Sequence, residues 1–580
     1  MKKMKLTKYI ITLMTALLVM GMTSNSVLAT KFPVEYDNHK KVKKGGTLRV
    51  GYVHDGVFKG VFADVLSVDG PTTDVAQFGN YSLFKPNNDY TYSKDGLAQV
   101  SFNNAEKTAT VKIKKNAGWS DGHPLEAKDI EYTYKVVANS ATNSGSYNAQ
   151  LRKVVGIEDY HAGKTDKISG LEVKDLKTMV IHFTDMEPEM KFPNAGFIVS
   201  SLLPYHYLKD VPFDKLASSD KVQKDPLFYG PFKIKNMVRG QSVSWVPNEY
   251  YGGKRPNVSK INIEMVSSGQ AAAAMRANKY DILLNESGGT YKKVRNLQQY
   301  AVLGVKEKYY SYVGFKVGHA NKEGLSVMDR KTPVQDRVLR QAMGYALNMD
   351  QLSKKFDAGL YYRANTVVPD AFGKYNDHKA KGYTLDLKKA NKLLDKAGYK
   401  LQKNGYRTLP NGKKFSLKLL SEGGNSSDER AMIQNYLEQW KKIGVKVELK
   451  DGRLQEFNSY IEQLVNDGKG FDVWLSNWAV PMPPTTSVAG NYMPSDPYNF
   501  AHFVTKENTE LIESLSSKKA FNDKYQLKQF YKWQEYMNKE AYIVPRQFRY
   551  STYVFSKKLT NISLKPKESY NLWENIAFTK

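Results

Sequence analysis

Eight residues, Phe471-Asp472-Val473-Trp474-Leu475-Ser476-Asn477-Trp478, constrain the fold of this chain more than any other stretch. They read as a near-continuous apolar strand suited to burial on both faces. A strand buried on both faces needs helices around it, and the preceding sequence supplies them. Asp386 to Ala397 reads as a capped helix ending at Gly398, and Glu429 to Ile443, ending at Gly444, leads into the strand Val445-Lys446-Val447-Glu448-Leu449. Helix and strand in short alternation predict an α/β lobe. Ligands of such lobes are met where buried strands end, so the exit of this strand is expected at a cleft between lobes.

The chain is 580 residues long, too long for one core, and should divide into several lobes. Lys44 to Tyr52 reads as a first buried strand, followed by the loop Val53 to Gly60, rich in glycine and aromatic residues. Residues 81–203 carry short strands and one clear helix, as an inserted lobe would. Within them, Thr110 to Lys114 alternates as a strand. Trp119-Ser120-Asp121-Gly122-His123-Pro124-Leu125-Glu126-Ala127-Lys128-Asp129 then makes a turn into a helix from Ala127 to Val137. Tyr229 to Ile234 and Ser242 to Val246 form a strand pair followed by a turn at Tyr250 to Pro256, an Ala-rich helix at Gln270 to Asn278 and a strand at Tyr280 to Leu283. Thr332 as N-cap, Pro333 at the first helical position and Gln335 completing a capping box predict a helix with Val338, Leu339, Ala342, Tyr345, Ala346 and Met349 on its apolar face. Tyr542 to Tyr550 reads as a late strand.

Lys2, Lys3, Lys5 and Lys8 precede an apolar run from Tyr9 to Met22, and Val27-Leu28-Ala29 offers the small residues of a cleavage site, so residues 1–29 are expected to be a secretory signal peptide. There is no cysteine, which excludes disulfides, thiol catalysis, thiolate metal sites and a lipid on the first mature residue, here Thr30. Loss of the four leader lysines takes the formal charge from +28 to +24. The charge is diffuse and lysine-rich, with no nucleic-acid motif, so nucleic acid is not an expected partner. Attraction to anionic wall polymers or a membrane surface and simple solubility are both open explanations. His123, His206 and His502 read as isolated turn or surface residues; neither a metal nor another cofactor is expected, and no nucleophile elbow, P-loop or zinc-protease motif occurs. Paired carboxylates cannot be judged by inventory, which leaves a secreted glycosidase as the enzymatic alternative.

The Trp119 to Asp129 motif, Gly230-Pro231-Phe232, the helix Arg340 to Asn348 and the strand Phe471 to Trp478 occur in the order found in a known family. Together the chain resembles the family-5 extracellular solute-binding proteins of the oligopeptide-binding OppA type, receptors of ABC importers, in a Gram-positive form without the lipobox cysteine. The resemblance implies a large periplasmic-binding-protein-like α/β fold: two main lobes joined by a two-strand hinge, plus an inserted third subdomain. Lobe I would comprise residues 30–80, 204–308 and 540–580, the insertion 81–203 and lobe II 309–539, with crossing strands near 305–315 and 535–550. It further implies a non-enzymatic, monomeric, exported receptor at the cell surface that captures oligopeptides and hands them to the transmembrane subunits of an ABC permease. A related receptor for a signalling peptide, haem or a glycan, and a cell-surface adhesin, are the alternatives.

By the same resemblance, Asn477, Trp478 and Ala479 supply a backbone edge to the peptide, and Asp55, Phe58 and Lys59 face it from lobe I. Tyr147 caps one end, while Gln547, Phe548 and Tyr550 line the hinge side. Many family members carry an acid after this strand for the peptide's α-amine. Here Val480-Pro481-Met482-Pro483-Pro484-Thr485 follows, so either another acid, Asp55 or Asp496, answers the amine, or the peptide end is not clamped.

Overall fold

The computed structural model describes residues 32–580 apart from 68, 287 and 424–426, so the expected signal peptide lies outside the described residues. The first long strand, β1 (Thr47–Val53), exposes Thr47 and Arg49 on one face, is buried on both from Val50 to Val53, and is followed by the loop that the sequence marks. Four antiparallel strands then form a separate sheet: β2 (Ala98–Asn103), β3 (Thr108–Ile113), β4 (Leu171–Asp175) and β5 (Thr178–His182), in the order β2-β3-β5-β4. Helix α1 (Ala127–Ala138) packs on this sheet.

The turn before α1 shows why its residues belong together. Gly122 takes φ +96°, a conformation open to glycine at no steric cost. Asp129 is buried and accepts three hydrogen bonds, from Trp119 Nε1 at 3.0 Å, from the Glu126 amide at 2.9 Å and from the Tyr205 amide at 2.9 Å. One carboxylate thereby joins the strand exit, the helix start and the chain returning at residue 205. Trp119 is 1 % exposed, a packing residue.

The main sheet has eleven strands. After β1 it takes β6 (Phe232–Val238), β7 (Ser242–Pro247) and β8 (Lys260–Val266); the chain then passes through helix α2 (Ser268–Arg276) to β9 (Ile282–Leu284) and β10 (Tyr300–Phe315). Helix α3 (Arg337–Tyr345), β11 (Tyr361–Arg363), α4 (Leu387–Lys396), β12 (Leu417–Leu420), α5 (Ser427–Lys441), β13 (Val447–Leu449) and β14 (Val473–Ala479) follow. Helices α6 (Pro484–Ala489) and α7 (Asp523–Glu540) precede the last long strand, β15 (Ile543–Ser556). The order across the sheet is β13-β12-β14-β10-β15-β9-β1-β8-β7-β6, with β11 also paired to β15. β1 runs parallel to β8 and β9, and β12 runs parallel to β13 and β14; β10 is antiparallel to both β14 and β15.

β10 and β15 are the long strands that carry the sheet from one side to the other. Their register runs from Tyr300↔Ser556 to Lys306↔Tyr550, breaks, and resumes at Tyr310↔Phe548. The break sits at Glu307, Lys308 and Tyr309, and a second irregularity follows between Ser311 and Tyr312, the kind of interruption at which a ladder bends. The chain ends are tied to each other: Glu35–Tyr36 pairs with Ile562–Ser563, and Val42–Lys43 with Phe578–Thr579. One apolar core lies around β1, β8 and the aromatic cluster of Phe78, Phe228 and Trp245. The largest core is continuous from residues of the four-stranded sheet into the side built on β12, β14 and α7.

Three expectations are corrected. The cap of α3 is Asp336, whose Oδ1 accepts from the Val338 amide at 2.8 Å, because Pro333–Gln335 forms its own 3₁₀ turn; Thr332 instead donates its hydroxyl to Asp472 Oδ1 at 3.0 Å. The second crossing begins at Ile543, since α7 remains helical to Glu540. His502 is buried, with Nε2 3.0 Å from Asp467 and Nδ1 3.0 Å from Ser326 Oγ, and His123 stacks on His206 at 3.8 Å. Among the described residues, no group of three or more His, Cys, Asp or Glu side chains could hold a metal ion, and no helix is long and apolar enough to cross a membrane.

Candidate functional site

β14 is buried at its start and opens at its end. Val473, Trp474 and Leu475 are buried, Ser476 to Trp478 are half-buried and Ala479 is exposed. On one edge it pairs with β10 along its whole length, from Phe315↔Val473 to Tyr309↔Ala479. On the other edge β12 pairs only with Val473 and Trp474. Beyond Trp474 that outer edge has no strand neighbour among the described residues. Unpaired backbone groups on a strand edge are a template for an added strand. Trp478 stands beside this edge with its ring 5.0 Å from that of Tyr498, which is 48 % exposed.

The hinge strands bring part of the expected set into register. Asn477 lies opposite Ser311, which lies opposite Gln547; Trp478 lies opposite Tyr310, which lies opposite Phe548. Gln547 is buried, accepts the Ser311 hydroxyl on its carbonyl at 3.3 Å and directs Nε2 to the Met349 carbonyl at 3.4 Å. Phe548 is buried against Tyr362, with Arg363, His378, Lys379 and Lys381 around the pocket it floors. Tyr550 is half-buried between Tyr362 and Phe32.

The loop after β1 is arranged differently from the expectation. Phe58 is 2 % exposed and packs among Phe62 and the aromatic residues of the β1 side, so its ring belongs to that core. Asp55 is exposed and caps α2, accepting from the Ser268 amide at 2.9 Å and the Ser268 hydroxyl at 2.7 Å. Those bonds hold its carboxyl below the usual range. Lys59 is exposed, with its amide on Asp69 Oδ2 at 2.8 Å. Tyr147 stacks on His161 at 4.1 Å, and Arg152 lies 5.9 Å over its ring. Asp496, the other acid weighed for the peptide amine, accepts the Tyr498 amide at 2.8 Å, and burial raises its pKa. Among the described residues, no recorded hydrogen bond, ion pair or ring contact joins Asp55, Phe58, Lys59 or Tyr147 directly to β14.

Other groups at the seam carry no motif. Lys308, at the break in β10, lies 4.1 Å over the Tyr90 ring, and burial pushes its ammonium down to about 8. Arg546 donates to the Tyr436 hydroxyl at 2.7 Å and to the Ser476 carbonyl at 3.2 Å, bracing β14 from β15. Glu189 is 2 % exposed where the chain of the four-stranded sheet meets α6 and α7: Gln526 Nε2 donates to its Oε1 at 2.9 Å and Thr485 Oγ1 at 3.4 Å. Burial pushes its carboxyl up to about 7. Asp64, hydrogen-bonded to Asn80 and Ser201, lines a cavity with Ser146, Asn148 and Ser201.

Residues 95–500 match the bacterial extracellular solute-binding proteins, family 5 middle region. The oligopeptide-binding protein OppA of Lactococcus lactis subsp. lactis is 38 % identical over 595 aligned positions, spanning 100 % of this chain and 98 % of that one. The oligopeptide-binding protein AppA of Bacillus subtilis is 24 % identical over 84 % of each chain. Among solved structures, lactococcal OppA complexed with an endogenous peptide in the closed conformation superposes with a TM-score of 0.75, at 37 % identity, over 92 % of this chain and 100 % of that one. AppA of Bacillus subtilis in complex with a nonapeptide superposes with a TM-score of 0.64 at 20 % identity, over 93 % of this chain and 100 % of that one, a likeness of fold.

Proposed function

The chain belongs to family 5 of the bacterial extracellular solute-binding proteins, and on that premise we propose that it captures oligopeptides between its lobes and delivers them to an ABC peptide permease. The observation that carries this reading is the outer edge of β14 beyond Trp474, which has no strand neighbour among the described residues, set beside the break in the β10–β15 ladder. The Leu475 carbonyl already accepts from the Tyr460 hydroxyl at 2.6 Å and the Ser476 carbonyl from Arg546 at 3.2 Å, so an extended peptide is laid along residues 477–479, where it pairs through groups that every peptide has and affinity does not depend on its sequence. Trp478 and Tyr498 give the adjacent side chains a flat apolar wall.

Lobe I is assigned to residues 32–80, 204–308 and 540–580, the insertion to 81–203 and lobe II to 309–539. Closure is a bend at residues 307–309 that moves lobe II with respect to lobe I and the insertion, which bonds such as the Gly118 amide to the Tyr250 carbonyl at 3.2 Å and the Tyr570 hydroxyl to the Ser82 carbonyl at 2.8 Å hold together. The chain binds and releases; the partner ATPase drives transport. It acts as an exported monomer held at the surface by its lysine-rich charge on anionic polymer or headgroups. Release of the protein by a high-salt wash of cells is the expected outcome, and full presence in the medium at low salt refutes that retention. For the function itself, cargo is extracted from protein purified without refolding and identified by mass spectrometry. Peptides of mixed sequence are expected; haem, a glycan or one unique peptide overturns the reading.

A further inference from the structure

Asp64 is a carboxylate without a cation. Its Oδ1 accepts from Asn80 Nδ2 at 2.6 Å and its Oδ2 from Ser201 Oγ at 3.1 Å, both neutral donors. Among the described residues it forms no ion pair; Lys221, which shares a small neighbouring cavity with it, gives its ammonium to the Tyr207 carbonyl at 2.5 Å. An ionised carboxylate has about four acceptor positions, and two are filled. Burial without a counter-charge is costly, and here it raises the pKa of the group.

The carboxylate borders a cavity of about 270 Å³, whose polar lining is Ser146, Asn148, Asn194, Ser200 and Ser201, with no basic side chain. Amide and hydroxyl oxygens around one carboxylate suit a group with several N–H donors and a positive charge. The cavity lies between the loop after β1 and the insertion. Its Pro193–Asn194 wall directly follows Phe192, whose ring lies 6.1 Å from that of Tyr375.

We propose that Asp64 and this cavity form a subsite for a primary ammonium group of the bound peptide, supplied by its N-terminus or by a lysine side chain. The inference rests on the peptide-binding reading and adds to it the acid that the segment after β14 lacks. The ammonium satisfies the two open acceptor positions of Asp64 and keeps the carboxylate ionised, so the ligand completes a site that the free protein leaves short of charge.

Three peptides test it by isothermal titration calorimetry on the mature chain: a lysine-free nonapeptide with a free N-terminus, its N-acetyl form, and the N-acetyl form with one lysine. A charge-assisted hydrogen bond of this kind corresponds to about a tenfold to hundredfold change in affinity. If the N-terminus is the source, acetylation costs that factor; if lysine is, the third peptide gains it over the second. Either dependence is expected to vanish in Asp64→Asn and in Asn148→Leu, which fills the cavity without removing the acid. Equal affinity for all three peptides overturns the proposal, and so does a dependence that survives both variants or is lost instead in Asp496→Asn. The comparison on the unaltered protein needs no variant to fold. Binding of none of the three by folded protein refutes the peptide reading itself.

Discussion

Replacing Glu189 by Gln probes the contact between the insertion and lobe II. The carboxyl has an ordinary value of 4.5 and is raised to about 7, chiefly by burial and further by Glu187, while Lys191 opposes the shift. Lys191 is itself paired with Asp523, and Glu187 with Lys153 at 3.1 Å, so burial decides the outcome. The folded chain therefore holds a proton that the unfolded chain releases. The stabilisation from the protonated group is complete below about pH 4.5 and is lost as pH rises through about 7. A shift of that size corresponds to about 3 kcal/mol. Glutamine keeps the shape and an acceptor for Gln526 and Thr485 but cannot ionise. Thermal unfolding of both proteins followed from pH 5 to pH 8.5 should give nearly equal midpoints at the acid end and a growing advantage for E189Q at the alkaline end. A midpoint difference that is flat across this range, or that favours the original residue above pH 7, refutes the reasoning.

Removing the carboxylate of Asp129 with D129A leaves Trp119 Nε1 and two amides without an acceptor and is expected to destabilise the chain by about 3 kcal/mol; a loss under about 1 kcal/mol in denaturant melts would contradict the bracing role of the motif. Gly314→Ala places a methyl into the Trp474 indole across the β10–β14 ladder, so it should cost about 2 kcal/mol or more, read as a lower melting midpoint; an unchanged midpoint is the contrary result. Trp478→Ala should weaken peptide binding about tenfold to hundredfold while leaving stability within about 1 kcal/mol, because the ring is half-exposed. Equal affinity in titration calorimetry would remove Trp478 from the site.

Features whose causes are local were legible in the sequence. Asp386 accepts from the Lys389 amide at 2.8 Å and Gly398 takes φ +85°, as the ends of α4 suggest. The turn at Gly122 and the burial of Trp119 follow from the same kind of signal. The cap of α3 was misread because Thr332 and Asp336 are both capable caps, and only the 3₁₀ turn between them decides. The candidate site was legible as the end of β14 but not as a free edge, since that depends on where β12 stops, more than fifty residues earlier. Asp64 meets Ser201 across 137 residues, and Glu189 meets Thr485 across 296; no spacing rule reaches so far. Phe58 shows the converse: a loop aromatic after a buried strand looks like a ligand contact, yet the core claims it.

The tie between the chain ends and the position of β15 impose an order in time. β15 sits between β10 and β9, so the centre of the sheet is completed by residues 543–556, after every other strand of that sheet has been made. Until they emerge, β9 and β10 lack their common neighbour, and the strands of both lobes are held apart by the missing piece rather than merely unfinished. Nor can residues 35–43 find their partners before residues 562–579 arrive. A growing chain of this topology stays open until residues 543–556 have been made, and truncation before them takes out a central strand rather than a tail.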